Sequence, residues 1–260
     1  TIKCGSVVHR SMELTEQLNF DHQDRRDIYE YVEAHGSVRA DQARRAVNLD
    51  PEAFGHHLTI LRRDGYLKRE GKRLSVAYRD EDVEEHEADD VVYTIRAAEQ
   101  RDLSGLVGVI RQVAEEGTYI EAETVADLLD HEEVILRHTE TRSRMVFVAC
   151  VDDEVVGWVH LDLPETGKLA HTAVLTVGLL PGYRGHGIGT ALLDRGFRWA
   201  CEHGFEKLYN SVPATNEDAI SFLEAHGWEV EAVRENHYRI DGEYVDEVML
   251  ATFLDCDARL

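Results

Sequence analysis

A glycine-rich segment between a strand and a helix has the residue types and spacing to do chemistry. It reads Arg184-Gly185-His186-Gly187-Ile188-Gly189, and the apolar pattern predicts a strand before it and a helix after it. Glycine lets the backbone approach a ligand closely, and the first N–H groups and the dipole of a helix attract an anion. The segment therefore predicts a pyrophosphate-binding loop. The alternative is a flexible turn, but the loop follows the middle strands of its domain and lacks the Lys-Ser/Thr pair of a nucleotide triphosphatase, which favours the binding interpretation.

The elements that position this loop predict an α/β domain with a mixed sheet over residues 91–254. Strands are expected at 91–96, 145–151, 155–161, 173–180, 207–212, 228–238 and 244–253. Helices are expected at 102–116, 121–138, 187–203 and 216–226. The loop thus lies where a middle strand of the sheet passes into a helix.

Residues 91–254 resemble the GNAT superfamily of N-acyltransferases throughout. The family motif is Arg or Gln, two residues, Gly, one residue, and Gly or Ala, and it is matched by Arg184, Gly187 and Gly189. A second match begins at Asn216 and continues through Phe222-Leu223 to Gly227-Trp228. The resemblance implies acetyl-CoA as co-substrate. It assigns the pantetheine arm to Leu179 and Leu180, and the thioester side to Asn216. The residues that it assigns to the pyrophosphate are Arg184, Gly185, His186, Gly187, Ile188, Gly189 and Thr190.

A third block, residues 234–249, contains a turn at 241–246 between two strands. It resembles the branch of the superfamily that includes phosphinothricin-type, amino-acid and ribosomal-protein N-acetyltransferases. The resemblance narrows the branch but leaves the acceptor open among a protein lysine, an N-terminal amine, an amino acid and a small xenobiotic amine.

The implied reaction transfers the acetyl group to a primary amine by direct attack in a ternary complex. It needs a base for the amine, an acid for the departing thiolate and a donor for the oxyanion, for which the resemblance indicates a backbone amide near Leu179. Two positions depart from the family. Leu223 stands where the family commonly has a tyrosine acid, and Ser211 stands where a strand glutamate often acts as base.

Other side chains could take over the proton transfers. Histidine has a suitable intrinsic pKa for a base, tyrosine can supply a phenolic proton, and a glutamate can hold an amine or relay its proton. Each candidate also has a purely structural interpretation, as a surface histidine, a strand tyrosine or a solvated helix charge. The predicted catalytic residues are His171, Tyr238, Tyr209 and Glu121.

Residues 21–79 predict three helices followed by a hairpin. The first helix starts at Asp21 and stops at Gly36, the second spans 40–47, and the third begins at Pro51 behind an Asp50 cap. Strands are expected at 66–69 and 74–78. This order resembles the winged helix-turn-helix family, with 51–63 as the recognition helix and 70–73 as the wing tip.

Basic residues follow the third helix and the hairpin, and they favour contact with phosphates. The predicted DNA-binding residues are His56, Thr59, Arg62, Arg63, Lys68, Arg69, Lys72 and Arg73. The alternative is a module for dimerisation or docking, because Glu52 on the exposed face of the helix would repel phosphates. Both interpretations stay open.

The remaining segments are predicted to lie outside the two domains. Residues 1–20 show no clear periodicity and are treated as an N-terminal extension, and 255–260 as a C-terminal tail. Residues 80–90 read DEDVEEHEADD and offer little to bury, so they predict an extended acidic linker.

The charge is unevenly distributed along the chain. The net charge is −23, with 14 Lys and Arg against 13 Asp and Glu in residues 1–80 but 14 against 38 in residues 81–260. Together with five lysines beside 23 arginines, this composition favours a halophilic origin in a salt-loaded cytoplasm over an acidic mesophilic protein.

The composition also bounds the location and the cofactors. The longest apolar stretches are far shorter than the roughly 20 residues of a membrane span, so a cytoplasmic protein without a membrane partner is expected. The four cysteines form no CxxC pair, and neither a disulfide framework nor a metal site is predicted.

Two functions from different classes remain. The first is an N-acetyltransferase whose winged helix targets it to DNA or a partner, with an amine acceptor that is a protein or a small molecule and with a homodimer as a further possible assembly. The second is a DNA-binding transcription regulator whose GNAT-like domain senses acyl-CoA without turnover. The third block favours the enzyme, since it extends into the acceptor side of the domain.

Overall fold

A computed structural model describes residue 18 and residues 20–77, 83–88, 91–117, 119–139, 143–163 and 167–256. The chain forms two compact units. The amino-terminal unit comprises residues 1–81 with 137–140, and the larger unit comprises residues 82–136 with 141–260. Residues 137–140 thus group with the amino-terminal unit, although the sequence pattern assigns them to the second domain.

The helices and strands follow one another through both units. In chain order they are α1 (Gln23–Ala34), β1 (Ser37–Arg39), α2 (Ala40–Ala46), α3 (Pro51–Arg63), β2 (Leu67–Glu70), β3 (Arg73–Val76), β4 (Glu84–Ala88), β5 (Val91–Ala97), α4 (Leu103–Gly117), α5 (Ile120–Glu132), β6 (Arg137–His138), β7 (Ser143–Val151), β8 (Glu154–Leu163), β9 (Thr172–Leu179), α6 (Ile188–Glu202), β10 (Lys207–Pro213), α7 (Glu217–Ala225), β11 (Glu229–Ile240) and β12 (Glu243–Phe253).

The amino-terminal unit packs α1, α2 and α3 with an antiparallel sheet in the order β1-β3-β2. Asp50 caps α3 by accepting hydrogen bonds from the backbone N–H groups of Glu52 and Ala53, and Pro51 fills the first helical position. The apolar residues Phe54, Leu58 and Leu61 lie on one side of α3 and are buried. The buried residues of α1 are Ile28, Tyr29, Val32 and Glu33.

The larger unit is built on a mixed sheet in the order β11-β12-β10-β9-β8-β7-β5-β4. Neighbouring strands are antiparallel except β9 and β10, which run parallel. Helix α6 packs on β7, β8 and β9, and α4 packs on β8 and β9. The mixed α/β architecture expected from the sequence is therefore confirmed.

Part of the predicted acidic linker forms a strand. Glu84–Ala88 pairs with β5 at the edge of the sheet, and the Glu84 carboxylate contacts the guanidinium groups of Arg195 and Arg198 at 3.0 and 2.8 Å. These two ion pairs offset the negative charge of Glu84, which would otherwise favour a solvated and unpaired segment. The linker prediction is therefore wrong for residues 84–88. Residues 80–82 and 89–90 of that prediction, most of the 1–20 extension and the tail beyond 256 lie outside the described residues.

The expectation that no disulfide forms is also wrong. Cys201 in α6 and Cys256 after β12 are joined by a disulfide, with their Cα atoms 5.4 Å apart. The two residues are 55 positions apart in the sequence, so spacing gives no signal of the pairing. Among the described cysteines, Cys150 is free and buried. Within the described residues, no helix combines the length and the apolar character needed to cross a bilayer.

Candidate active site

Two parallel strands separate at the centre of the larger sheet. β9 and β10 pair only at their starts, from Thr172 with Lys207 to Val174 with Tyr209, although β9 continues to Leu179 and β10 to Pro213. Backbone groups of β9 beyond Val174 are therefore not paired with β10. The gap opens towards the glycine-rich loop that follows β9.

The glycine-rich loop leads directly into α6. Gly185 and Gly187 have φ angles of +84° and +77°, a left-handed region in which other residues are strained. Gly187 is also the N-cap of α6, and no side chain caps this helix start. The Arg184 Nε donates to the Leu179 carbonyl oxygen at 3.0 Å, which holds the loop beside the end of β9. An open helix start presents N–H groups and a positive dipole end that suit a phosphate.

Helix α7 and the residue after it contact the start of α6, next to the glycine-rich loop. The Phe222 ring would lie 3.5 Å from a Cβ placed on Gly189, so the two helices pack closely there. His226 Nδ1 donates to the Phe222 carbonyl oxygen at 2.7 Å, which leaves Nε2 to accept from the Thr190 hydroxyl at 3.0 Å. Asn216 caps α7 by accepting from the Ala219 N–H at 3.2 Å, the structural role that its type favours.

Tyr119 reaches into the gap between the two parallel strands. Its hydroxyl donates to Asn210 Oδ1 on β10 at 3.0 Å and is also hydrogen-bonded to the backbone of Val177 on β9. Burial raises the pKa of the Tyr119 phenol, so the phenol stays protonated. Backbone N–H groups of alternate strand residues point to the same side, and Leu179 therefore directs its N–H towards the gap as Val177 does.

A buried carboxylate lies beside the wide end of this gap. Glu247 on β12 pairs in register with Pro213 at the end of β10, and it is 3% exposed. Its carboxylate contacts Arg234 Nη1 at 2.8 Å and His237 Nε2 at 3.5 Å, and it accepts from the Tyr238 hydroxyl at 3.3 Å.

A bulge in β11 makes this cluster possible. Arg234 pairs with Glu247 and Tyr238 with Val245, so three residues of β11 lie opposite one residue of β12. Asn236 in the bulge has a φ of +54°. Adjacent strand residues normally point to opposite faces, but the bulge lets both His237 and Tyr238 reach Glu247.

Glu121 completes the cluster from the first turn of α5. Burial raises the pKa of its carboxyl, the negative charge of Glu247 raises it further, and His237 opposes the change. The pKa of the Tyr238 phenol is also raised, by burial first and then by the charge of Glu247. A carboxyl with a raised pKa is a stronger base than an ordinary carboxylate and is better suited to accept a proton from an amine.

The structure separates the other predicted catalytic residues from this cluster. His171 is exposed just before β9, at the end opposite the glycine-rich loop. Tyr209 lies at the last position where β10 pairs with β9, and the Lys207 ammonium lies 4.6 Å from its ring centre. Leu223 is buried in α7, and Ser211 is half-buried on β10. Of the four predictions, Glu121 and Tyr238 are thus brought together, while Glu247, Arg234, His237 and the Tyr119 hydroxyl were not predicted.

The residues predicted to contact DNA lie in the amino-terminal unit. His56, Thr59 and Arg63 are exposed on α3, as is Glu52. Several of the cations have protein partners: Arg63 contacts Asp64 at 2.7 Å, Lys68 contacts Glu70 at 3.3 Å, and Arg73 donates to the Ser37 carbonyl at 2.6 Å. Arg62, Arg69 and Lys72 are exposed, and Arg69 donates to the Gly71 carbonyl.

Comparison with known proteins covers the cofactor side of this site. The model of the Acetyltransferase (GNAT) family matches residues 109–228, which include α5, the gap, the glycine-rich loop and α7. An N-alpha-acetyltransferase of Sulfurisphaera tokodaii is 34% identical over 120 residues, covering 42% of this chain and 70% of that protein. The L-amino acid N-acetyltransferase AaaT of Escherichia coli is 27% identical over 106 residues, covering 40% of this chain and 65% of that protein.

Solved structures share the fold of the larger unit. The yncA protein of Salmonella typhimurium, solved with its cofactor acetyl-CoA, has a TM-score of 0.52 at 18% identity and covers 63% of this chain and 94% of that one. A GNAT acetyltransferase of Streptococcus pneumoniae has a TM-score of 0.51 at 20% identity, and the match covers 62% of this chain and 99% of that one. The uncapped helix start and the separated strands fit a long cofactor with a pyrophosphate. The chain therefore belongs to the GNAT family and is an acetyltransferase that uses acetyl-CoA as its co-substrate.

Proposed function

We propose that the chain acetylates an α-amino group, which is held for direct attack in a ternary complex beside Glu121 and Glu247. The observation that carries the proposal is the cluster of Glu121, Glu247, His237 and Tyr238 at the wide end of the gap between β9 and β10. Acetyl-CoA supplies the activated acetyl thioester. The residues of the chain bind the amine, remove its proton and orient it.

Glu121 is proposed as the general base. A free amine is protonated near neutral pH, and it must lose a proton before it can attack. Glu121 combines a raised pKa with a place on the first turn of the helix that borders the gap. Glu247 adds a second negative charge that attracts the ammonium form of the acceptor. Its contacts with Arg234 and His237 fix its position.

Tyr238 remains the candidate for protonating the departing thiolate. Its phenol stays protonated, and its hydroxyl is positioned by the hydrogen bond that it donates to Glu247. The phenol proton goes to the thiolate, and the phenolate left behind takes up a proton from solvent. The backbone N–H of Leu179 is the proposed oxyanion donor, since it is directed into the gap. Arg184, the loop residues up to Thr190, and Asn216 are proposed to hold the pyrophosphate and the thioester side, and Leu179 and Leu180 the pantetheine.

The names of the relatives favour an α-amino acceptor. The Sulfurisphaera protein is named an N-alpha-acetyltransferase, which describes acetylation at an α-amine, and the Escherichia protein is named an L-amino acid N-acetyltransferase, whose acceptor carries an α-amine. A peptide N-terminus and a free amino acid share that chemistry. The chain is therefore expected to prefer either of them to a lysine side chain or a polyamine.

The proposal is tested by following thiol release from acetyl-CoA with a panel of amines. Peptides with free N-termini and free amino acids should turn over faster than the same peptides with blocked N-termini and an internal lysine. Arg184→Glu, which places a negative charge at the loop, provides the control for binding. Tight acetyl-CoA binding without turnover above that control would instead favour the sensor of acyl-CoA.

We further propose that the amino-terminal unit is a winged helix that binds DNA through α3 and the β2–β3 hairpin. Support comes from the order α1, β1, α2, α3, β2, β3, from its three-stranded antiparallel sheet, and from the exposed residues His56, Thr59, Arg62 and Lys72. Glu52 and the paired cations reduce the positive charge of this face. DNA binding of moderate affinity is therefore expected.

A salt titration of binding to random and promoter DNA tests this second proposal. The logarithm of the affinity should fall linearly with the logarithm of the salt concentration, and Arg62→Ala or Lys72→Ala should each reduce the slope by about one. Arg101→Ala in the larger unit should leave the slope unchanged. Absence of binding even at low salt would favour a docking or dimerisation module.

A further inference from the structure

Three side chains of the amino-terminal unit meet at positions that suit a metal ion. His22 caps the start of α1, Asp24 lies in its first turn, and His57 lies on the buried side of α3. One potential ligand atom from each residue lies within 4.8 Å of the other two. The cluster contains none of the residues assigned to acetyl-CoA, to the amine or to DNA.

The distances match those between ligands of one zinc ion. Asp24 Oδ2 lies 3.4 Å from His57 Nε2 and 3.6 Å from His22 Nδ1. Two ligands at about 2.0–2.1 Å from a tetrahedral zinc ion are about 3.3 Å apart. A small movement of the exposed His22 ring is enough to bring all three atoms to that spacing.

The hydrogen bonding of the His22 imidazole also fits coordination of a metal ion. His22 Nδ1 accepts a hydrogen bond from the Asp24 backbone N–H at 3.2 Å, so this nitrogen carries a lone pair rather than a proton. A metal ion would take that lone pair in place of the amide. The His22 and His57 rings lie close together, with centroids 4.6 Å apart.

His57 is not explained by packing alone. The residue is 8% exposed, and within the described part of the chain its buried Nδ1 has no hydrogen-bond partner. Leaving a buried polar atom unpaired is destabilising, so packing alone would favour an apolar residue here. The other ring nitrogen, Nε2, faces Asp24 Oδ2 at 3.4 Å, so a ligand role for Nε2 gives the imidazole a function despite the unpaired Nδ1.

We propose that His22, Asp24 and His57 bind one Zn²⁺ ion, with water as the fourth ligand. Two imidazoles and one carboxylate suit zinc, whereas Mg²⁺ and Ca²⁺ prefer sites made of oxygen ligands. The ion ties the start of α1 to the middle of α3 and thereby stabilises the amino-terminal unit. The inference is independent of the acetyltransferase reaction and of DNA binding.

Zinc affinity of the full chain is the direct test. The metal-free protein is titrated with Zn²⁺ in competition with a chromophoric zinc chelator, and one tight site is expected. His22→Gln and Asp24→Asn should each weaken that site by about tenfold or more, since even outer-shell changes cost about 10–100-fold in metal affinity. His35→Gln is the matched control, because it removes an exposed histidine of the same unit that lies outside the cluster.

Two further measurements distinguish this site from the other histidines. Co²⁺ in place of Zn²⁺ should give the visible absorption of a tetrahedral complex in the wild type and in His35→Gln but not in His22→Gln. Zn²⁺ should raise the Tm of the wild type, as a ligand of the folded state does, and not that of Asp24→Asn. Unchanged zinc affinity in His22→Gln and Asp24→Asn, or an equal loss in His35→Gln, would overturn the proposal.

Discussion

Glu121 owes its proposed role to its surroundings rather than to its residue type. Burial and the charge of Glu247 raise its pKa, whereas Glu123 is exposed two residues further along the same helix. The same first turn of α5 thus holds two glutamates with different chemistry. Comparing variants of the two residues separates the proposed base from an exposed charge at the same helix start.

Glu121→Gln is expected to lower kcat by about 100-fold or more, the usual contribution of a general base. The wild type should lose activity as the pH falls through the raised pKa of Glu121, and the variant should lack this acidic limb. Glu123→Gln should retain both the rate and the pH profile. Rates of amine acetylation across pH provide the measurement, and an unaltered acidic limb in Glu121→Gln would exclude this residue as the base.

Thermal unfolding shows whether such a loss arises from chemistry or from folding. Because the folded state raises the pKa of Glu121 above 4.5, it binds the proton more tightly than the unfolded chain does. The wild type therefore loses stability as the pH rises from about 4.5 through the raised value. Glu121→Gln avoids that loss, so its Tm at neutral pH should equal or exceed that of the wild type.

Sequence patterns could identify Glu121 and Tyr238 but not the group that connects them. Glu247 lies within an alternating strand, where a glutamate normally faces solvent. Its contacts with His237 and Tyr238 depend on the bulge at 235–237, and the two inserted residues leave no periodic signal in the sequence of β11. His171 illustrates the opposite case, because its residue type suits a base while its place at the start of β9 is remote from the loop.

At the scale of elements, the helix starts and turns were predictable because each depends on a local residue. Asp50-Pro51 opens α3, Gly187 opens α6, and Asp241-Gly242 forms the turn between β11 and β12 with positive φ at both positions. The pairing of Glu84–Ala88 depends on arginines more than 100 residues away. Local composition therefore predicted a linker there.

Helix α6 offers a matched pair of glycines at its two ends. Gly187 and Gly204 have φ angles of +77° and +78°, and a Cβ added to either meets no other atom within 4 Å. Alanine in this left-handed region costs about 1–2 kcal/mol at either site. Gly187→Ala and Gly204→Ala should thus lower the Tm of the larger unit by similar amounts.

Only Gly187→Ala should also weaken acetyl-CoA binding. Relief of its strain moves the N–H groups that are proposed to hold the pyrophosphate, and its Cβ occupies space at the open helix start. Isothermal titration with acetyl-CoA and the KM for acetyl-CoA measure the effect. If the two variants bind acetyl-CoA equally well, the start of α6 is not the pyrophosphate site.

At the scale of the whole molecule, the disulfide connects α6 to the segment after the last strand. Closing a loop between residues 55 apart stabilises a fold by about 2–4 kcal/mol, mainly by restricting the unfolded chain. A reductant should therefore lower the Tm of the wild type and leave that of Cys256→Ser unchanged. Titration of the denatured, unreduced protein should find two thiols rather than four, and four would exclude the bridge.

The charge distribution predicts that salt stabilises the larger unit. Residues 81–260 contain 14 basic against 38 acidic side chains, whereas residues 1–80 are nearly balanced. Raising KCl from about 0.1 M to about 1 M shortens the Debye length from about 10 Å to about 3 Å, so repulsion among surface carboxylates falls. Stability should therefore rise with salt in the larger unit.

Tryptophan fluorescence can follow this unit selectively, because Trp158, Trp199 and Trp228 all lie in it and are buried. The midpoint of the fluorescence transition on heating should increase with KCl. NaCl at equal ionic strength should act alike, because screening depends on ion concentration rather than on ion type. The part-buried pairs of Glu84 with Arg195 and Arg198 are screened less than fully exposed charges, so they should persist at high salt. A midpoint that stays constant or falls as KCl rises would show that charge repulsion does not limit the stability of the larger unit.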